Sequence, residues 1–289
     1  MLQIEPLHSS FAARVHGVSL PHTRDAATLT AIRDAMDRYA VLVFPEQAFD
    51  DASQLAFAKR LDGAIHSRTA ASVVTSNRFG NEALTDISNV GGEGAILGRE
   101  DRRRLNGLAN RLWHTDASFE QPAGRYSLLF AHRLPDIPPA TEFADMRTAY
   151  DALPAATRQQ IDGLRVHHSI VYSRSTLGFE FGPDEATRLP GAWHPLVREL
   201  PRQSRRSLYL ASHAATIENW PVPEARLLLR DLIEHATQPR FVYAHAWRPH
   251  DLVIWDNRAT MHRARPFDDL GQRRELRRVT TLDLEHTIT

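Results

Sequence analysis

Arg240-Phe241-Val242-Tyr243-Ala244-His245-Ala246-Trp247 is followed, after Arg248-Pro249-His250, by Asp251-Leu252-Val253-Ile254-Trp255. Two short β-leaning runs are thus separated by a turn containing proline. Runs of the same kind recur at Arg125–Leu134, Thr141–Met146, Leu164–Ser173, Leu196–Leu200, Ser207–Ser212 and Arg277–Leu284, most of them bounded by Pro, Gly or Asp. Such a density of short strands predicts an antiparallel sandwich or barrel rather than a doubly wound parallel sheet. Helical spacing appears on either side. Ala26–Tyr39 places Leu29, Ile32, Met36 and Tyr39 on one face, and Asp51–Leu61, Ala149–Leu164 and Val222–Thr237 read as further helices, the last with Pro223 near its start. Ala40–Phe44 reads as a buried strand ended by Pro45, and Ala83–Val90 as the strand-like part of an otherwise loop-rich stretch from 62 to 107. The fold class expected is mainly β with flanking helices (α+β).

Composition narrows the function. The 289 residues are 42% hydrophobic and 24% charged, which suits a globular chain and excludes disorder as its main state. Lys plus Arg and Asp plus Glu are both 35, so no bulk charge draws the protein to nucleic acid or an anionic membrane. Lys59 is the only lysine, so nearly all positive charge is arginine. Cysteine is absent, which removes disulfides, thiolate zinc sites, iron–sulfur clusters and cysteine nucleophiles. A metal would have to sit on histidine, carboxylate or water. No stretch approaches the ~18 apolar residues of a membrane span, and the N-terminal residues do not resemble a signal peptide, so a cytoplasmic protein is expected.

Most of the 15 histidines need no special role. His167-His168 are adjacent, and in a strand they would point to opposite faces. His114 and Asp116, within Leu112-Trp113-His114-Thr115-Asp116-Ala117-Ser118-Phe119, are two apart. An extended backbone puts both on one face, where an imidazole and a carboxylate can share a divalent ion. Chance pairs of this kind are common. A third ligand is available in His262, within Trp255-Asp256-Asn257-Arg258-Ala259-Thr260-Met261-His262-Arg263. Two histidines and one carboxylate leave three metal positions open, the facial arrangement of non-haem Fe(II) oxygenases, although spacing alone does not bring His262 to the other two. The arginine-rich Gln272-Arg273-Arg274-Glu275-Leu276-Arg277-Arg278 is either a surface strand or an anion site. Arg274 and Arg278 share a face if the segment is extended, and guanidinium forks bind carboxylates bidentately.

Taken together, these blocks resemble the taurine dioxygenase family of Fe(II)/2-oxoglutarate-dependent oxygenases, with the strongest likeness to its 2,4-dichlorophenoxyacetate branch. The resemblance rests on Ile87–Val90, Leu112–Phe119, Gln121–Ala123 with Arg125–Ser127, Thr141–Phe143 with Asp145–Arg147, Ala149–Pro154, Trp255–Arg258, Met261–Arg263 and Arg273–Arg278. It spans nearly the whole chain. It implies a single domain over residues 1–289 with a double-stranded β-helix (jelly roll) fold, a mobile lid segment at about 65–105, and a helical insertion between core strands at about 147–240.

The resemblance further implies that His114, Asp116 and His262 hold Fe(II) and carry catalysis. Arg274, with Thr141 and Asn110, would bind 2-oxoglutarate, with Arg273 the competitor for Arg274's place. Arg278 would grip the acid group of the primary substrate in a pocket that also involves Ser88, Asn89, Ala71 and Leu200. The 2,4-dichlorophenoxyacetate branch has lysine and histidine where this chain has Ala71 and Leu200. The reaction implied consumes 2-oxoglutarate and O2 and gives succinate and CO2. It hydroxylates a small carboxylic acid, an aryloxyalkanoate that then collapses to a phenol and a 2-oxoacid. The same chemistry on a sulfonate, a sulfate ester or another aryl-alkanoic acid is the first alternative, and a non-catalytic metal-binding jelly roll the second. No nucleic acid or membrane partner is implied; a homo-oligomer is.

Overall fold

The computed structural model of the chain describes residues 2–67 and 78–284. Its largest sheet has seven strands in the order β1 (Gln3–Pro6), β2 (Ala13–His16), β3 (Val41–Phe44), β13 (Leu252–Asp256), β5 (Gly124–Arg133), β15 (Glu275–Leu282) and β4 (Thr85–Ser88). Only β2 and β3 run parallel; the other pairings in this sheet are antiparallel. A second sheet of β12 (Val242–His245), β6 (Thr141–Asp145) and β14 (Thr260–Ala264) faces it. Together they form a jelly roll, the fold that the family resemblance implied and one of the antiparallel architectures that the short strands predicted.

Strand periodicity explains why the central strands read as continuous apolar runs. Successive side chains point to opposite faces. Val41 and Val43 therefore turn inward with Leu129, Val253 and Trp255, against Phe143 of β6. Leu42 and Phe44 turn outward with Leu128, Phe130 and Ile254, beneath Ile32, Met36, Phe57 and Leu61. Those four belong to α1 (Ala26–Tyr39) and α2 (Asp51–Asp62), which cover the outer face. Both helices start on an aspartate cap: Asp25 accepts from the Thr28 amide and Asp50 from the Ser53 amide, each at 2.8 Å.

The outer face of the second sheet is covered by the segment between β6 and β12. Helices α4 (Met146–Asp151), α5 (Ala155–Ile161) and α8 (Val222–Ala236) contribute to a third apolar cluster with Ala144 and Met261. This segment is not purely helical. It also holds a sheet of β11 (Ala214–Ile217), β7 (Arg165–His168) and β8 (Ala192–Pro195), and a ribbon of β9 (Val197–Leu200) and β10 (Arg205–Leu208).

Three local readings are corrected. The helix expected over Ala149–Leu164 is two short ones, because Pro154 between them has no amide proton to continue the first. The run Leu164–Ser173 is strand only to His168. Ser169 then accepts from the Tyr172 amide at 3.2 Å and starts α6 (Ile170–Ser175). The stretch before His114, read as loop, contains α3 (Arg102–Gly107), whose cap Asp101 accepts from the Arg103 amide at 2.8 Å. A further short helix, α7 (Pro183–Thr187), lies beyond α6.

Candidate active site

His114 lies outside the named strands but pairs with β14. Its amide donates to the His262 carbonyl at 2.9 Å and its carbonyl accepts from the His262 amide at 2.8 Å. The two residues are therefore directly opposite each other, with side chains on the same face. Their ring centroids are 4.2 Å apart. Asp116, two residues on, joins them, and one ligand atom from each of the three lies within 4.8 Å of the others. The Nε2 atoms of His114 and His262 are 3.8 and 3.6 Å from the two carboxylate oxygens. The three residues proposed from sequence thus converge, although 148 positions separate the two histidines (262 − 114).

The strands around Asp116 fix its carboxylate. Ser127 Oγ donates to Oδ2 at 2.8 Å and Arg278 donates to Oδ1. The Asp116 amide donates to Asn257 Oδ1 at 3.0 Å, and the same oxygen accepts from Trp255 Nε1 at 3.0 Å. Asn257 Nδ2 donates in turn to Ser127 Oγ at 2.9 Å. The Trp255-Asp256-Asn257 motif is therefore the support of the acid's turn. Gly124 leaves room for it, since a Cβ there would stand 2.9 Å from the Asp116 carbonyl.

The donor set suits a divalent metal. Burial pushes both imidazoles below the usual histidine range, which keeps them in the neutral, ligating form. His114 Nδ1 lies 2.8 Å from the Leu112 carbonyl, which assigns its proton to Nδ1 and leaves the Nε2 lone pair free. Burial alone would raise the Asp116 carboxyl. The nearby charges of Arg278, His262 and His114 outweigh it and hold the group at about 2, ionised throughout the working range. These three side chains could hold a metal with one face left to other ligands.

A cavity of ≈ 260 Å³ opens on this face and contains Arg274, Thr141, Asn110, Arg278, Ser88 and Asn89 in its wall. Arg274 is buried, and its Nε has no hydrogen-bond partner. No carboxylate among the described residues pairs with it, and burial lowers the guanidinium to about 10. Such a group costs free energy unless an anion completes it. Thr141 Oγ1 accepts from Trp247 Nε1 at 2.9 Å, which leaves the hydroxyl proton to donate. The pair can take a carboxylate. Arg273 points elsewhere: it is a third exposed and sits 3.1 Å from Glu275.

Comparison with known proteins agrees with this geometry. Residues 3–280 match the family model described as taurine catabolism dioxygenase TauD, TfdA family. The chain belongs to the TauD/TfdA family. It is 42% identical to the alpha-ketoglutarate-dependent 2,4-dichlorophenoxyacetate dioxygenase of Burkholderia sp. (strain RASC), over 96% of this chain and 93% of that one. It is 34% identical to the (S)-phenoxypropionate/alpha-ketoglutarate-dioxygenase of Sphingobium herbicidovorans, over 92% and 90%. The crystal structure of AAD-2 in complex with Mn(II) and N-oxalylglycine superposes with a TM-score of 0.91 at 42% identity, covering 100% of this chain and 99% of that chain. The protein is an Fe(II)/2-oxoglutarate-dependent dioxygenase, with O2 as its second co-substrate.

Not every residue expected in this TauD/TfdA site lies in the cavity wall. Leu200 does not reach it: the side chain is buried against Ala40 and Ala259, because β9 faces the scaffold. Ala71 falls outside the described residues. Asn89 is in the wall but committed, its amide nitrogen donating to the carbonyls of Asp269 and Gln272 at 2.8 and 2.7 Å and its oxygen accepting from the Arg274 amide at 2.8 Å. It therefore staples the loop before β15. Ser88 Oγ donates to Asp86 at 2.6 Å.

Wall residues that the sequence reading did not single out include Asn106, Phe119, Ile170, Arg174 and His213. The i, i+4 spacing of Ile170 and Arg174 was the available signal. It was hidden by reading Leu164–Ser173 as one strand.

Proposed function

We propose that this dioxygenase hydroxylates an aryloxyalkanoate acid, so that the product collapses to a phenol and a 2-oxoacid. The observation that carries the reading is the identity of 42%, across 96% of the chain, to a 2,4-dichlorophenoxyacetate dioxygenase. The cavity wall fits such a molecule. Ile87, Val90, Leu97, Phe119 and Ile170 offer an apolar side for an aryl group, and arginines offer a partner for the acid.

In this reading His114, Asp116 and His262 hold Fe(II). Together with 2-oxoglutarate, the bound metal supplies the oxidation that consumes O2 and releases succinate and CO2. The chain's own work is binding and aim. Ser127, Arg278 and Asn257 hold the Asp116 carboxylate and its turn. Arg274 and Thr141 take the distal carboxylate of 2-oxoglutarate, and Asn110 lines its approach. Arg278, beside Asp116, faces the acid group of the primary substrate. Ser88 and Asn89 shape the wall below it. The stretch from about 65 to 105 supplies Val90, Leu97, Arg103 and Arg104 to the wall, which supports reading it as a cover that keeps water from the reaction. We place the protein in the cytoplasm as a one-domain homo-oligomer. Among the described residues no helix is long and apolar enough to cross a membrane.

A panel assay tests the substrate. Succinate release in the presence of Fe(II), 2-oxoglutarate and O2 is followed with phenoxyacetates, phenoxypropionates of each hand, aryl-propionates, alkyl sulfates and taurine. Phenol formation with a phenoxy acid, well above any other class, is expected. Turnover of a sulfate ester or sulfonate in preference overturns the reading; a sulfate ester dioxygenase of Pseudomonas putida is 31% identical over 96% of this chain.

A further inference from the structure

Six arginines are buried among the described residues: Arg125, Arg147, Arg174, Arg198, Arg258 and Arg274. Four are compensated by a carboxylate. Asp62 lies 3.3 Å from Arg125, Asp145 2.9 Å from Arg147, Asp283 2.6 Å from Arg198, and Asp256 2.9 Å from Arg258. The other two, Arg174 and Arg274, have no acid partner among the described residues, and both line the cavity. Arg274 is accounted for by 2-oxoglutarate. Arg174 is not used by anything described so far.

Arg174 is fixed in place. Its Nε donates to Asn106 Oδ1 at 2.9 Å, while its two terminal nitrogens make no hydrogen bond to any described residue. It shares the cavity wall with His114, Asp116, His262 and Arg278. Ile170 precedes it by one helical turn, so α6 presents an apolar side chain and a guanidinium side by side to the cavity. An amphipathic aryl acid has the matching pattern. 2-Oxoglutarate does not, because it is polar at both ends and its distal carboxylate already has Arg274 and Thr141. Arg278 cannot give the substrate its whole charge, because it donates to Asp116.

We propose that Arg174, positioned by Asn106, is a second anion-binding residue of the cavity that grips the acid group of the primary substrate together with Arg278. This rests on the reading that the primary substrate is a small organic acid. The experiment compares wild type, Arg174→Gln, Arg174→Lys and Asn106→Ala. KM is measured for the best acid of the panel and for 2-oxoglutarate. Calorimetric titration of the same acid into enzyme loaded with Fe(II) and 2-oxoglutarate without O2 gives Kd.

Arg174→Gln should raise KM and Kd for the acid roughly 10- to 100-fold, the loss of a charged hydrogen bond, and leave the 2-oxoglutarate KM within about threefold. Arg174→Lys should restore most of that loss. Asn106→Ala should show a smaller shift of the same sign. Unchanged acid affinity in Arg174→Gln, or an equal rise in the 2-oxoglutarate requirement, overturns the proposal. If Arg174→Gln does not fold, acid affinity at the wild-type value in both remaining variants overturns it, and a weakened Asn106→Ala with little change in Arg174→Lys supports it. Should the wild type prefer a sulfonate or sulfate ester, the aryloxyalkanoate reading fails while the Arg174 comparison is run on that acid.

Discussion

Two parts of the cavity wall are built differently. In the metal-binding part, His262, Ser127 and Arg278 sit on paired strands, and His114 is tied to β14 through both backbone bonds. Along the rest of the wall, Asn106, Ile170 and Arg174 sit on helices of six residues, and Phe119 lies in the turn after Asp116. Strand pairs fix side chains to within the tolerance that metal geometry needs, because each residue is held by neighbours on both sides. Short helices and turns can change length and sequence without disturbing the sheets. We read the strand-held part as carrying the oxidation, and the helix- and turn-borne part as shaping, with Arg278, the choice of acid.

The largest test of this contrast lies in the strand-held part. Replacing His114, Asp116 or His262 by Ala should take succinate formation to background with every acid. Retained turnover in all three variants removes the metal-binding part from the account. Arg274→Ala comes next, raising the 2-oxoglutarate KM roughly 100-fold and the acid KM by no more than about threefold, as measured by initial rates. A rise in both would mean that the two parts share their anion sites.

Gly124→Ala tests whether the backbone under Asp116 matters apart from its side chain. The added Cβ would press on the Asp116 carbonyl and on Thr280 Cγ2, each at 2.9 Å. Metal affinity from Fe(II) titration should fall on the order of tenfold, with the fold intact by circular dichroism. The smallest effect belongs to the other part. Phe119 packs edge-on to His213, with ring centroids 5.0 Å apart. Phe119→Ala should change relative kcat/KM among the acids a few-fold and leave the 2-oxoglutarate KM alone. A shift in the 2-oxoglutarate requirement of equal size would erase the distinction between the two parts.

Much of the metal-binding part was readable from residue order because it depends on local rules. An extended segment puts His114 and Asp116 on one face whatever surrounds it. The apolar runs of β3, β5 and β13 announce strands buried on both sides. Arg274 was favoured over Arg273 only by resemblance, and packing is what separates the two: one is sealed in the cavity wall and the other reaches Glu275. Leu200 shows the opposite failure. The resemblance implied a place in the substrate pocket, yet β9 turns it toward Ala40 and Ala259.

Linear order thus determined several of the core strands, the absence of thiol chemistry and the identity of three candidate ligands. Periodicity, composition and side-chain chemistry are properties of neighbouring residues. Only the tertiary structure decided that His262 stands opposite His114, that Asn257 and Ser127 brace Asp116, and that, among the described residues, two of six buried arginines have no carboxylate beside them. Those facts depend on which distant strands pair and which charges meet once water is excluded, and no local pattern encodes either.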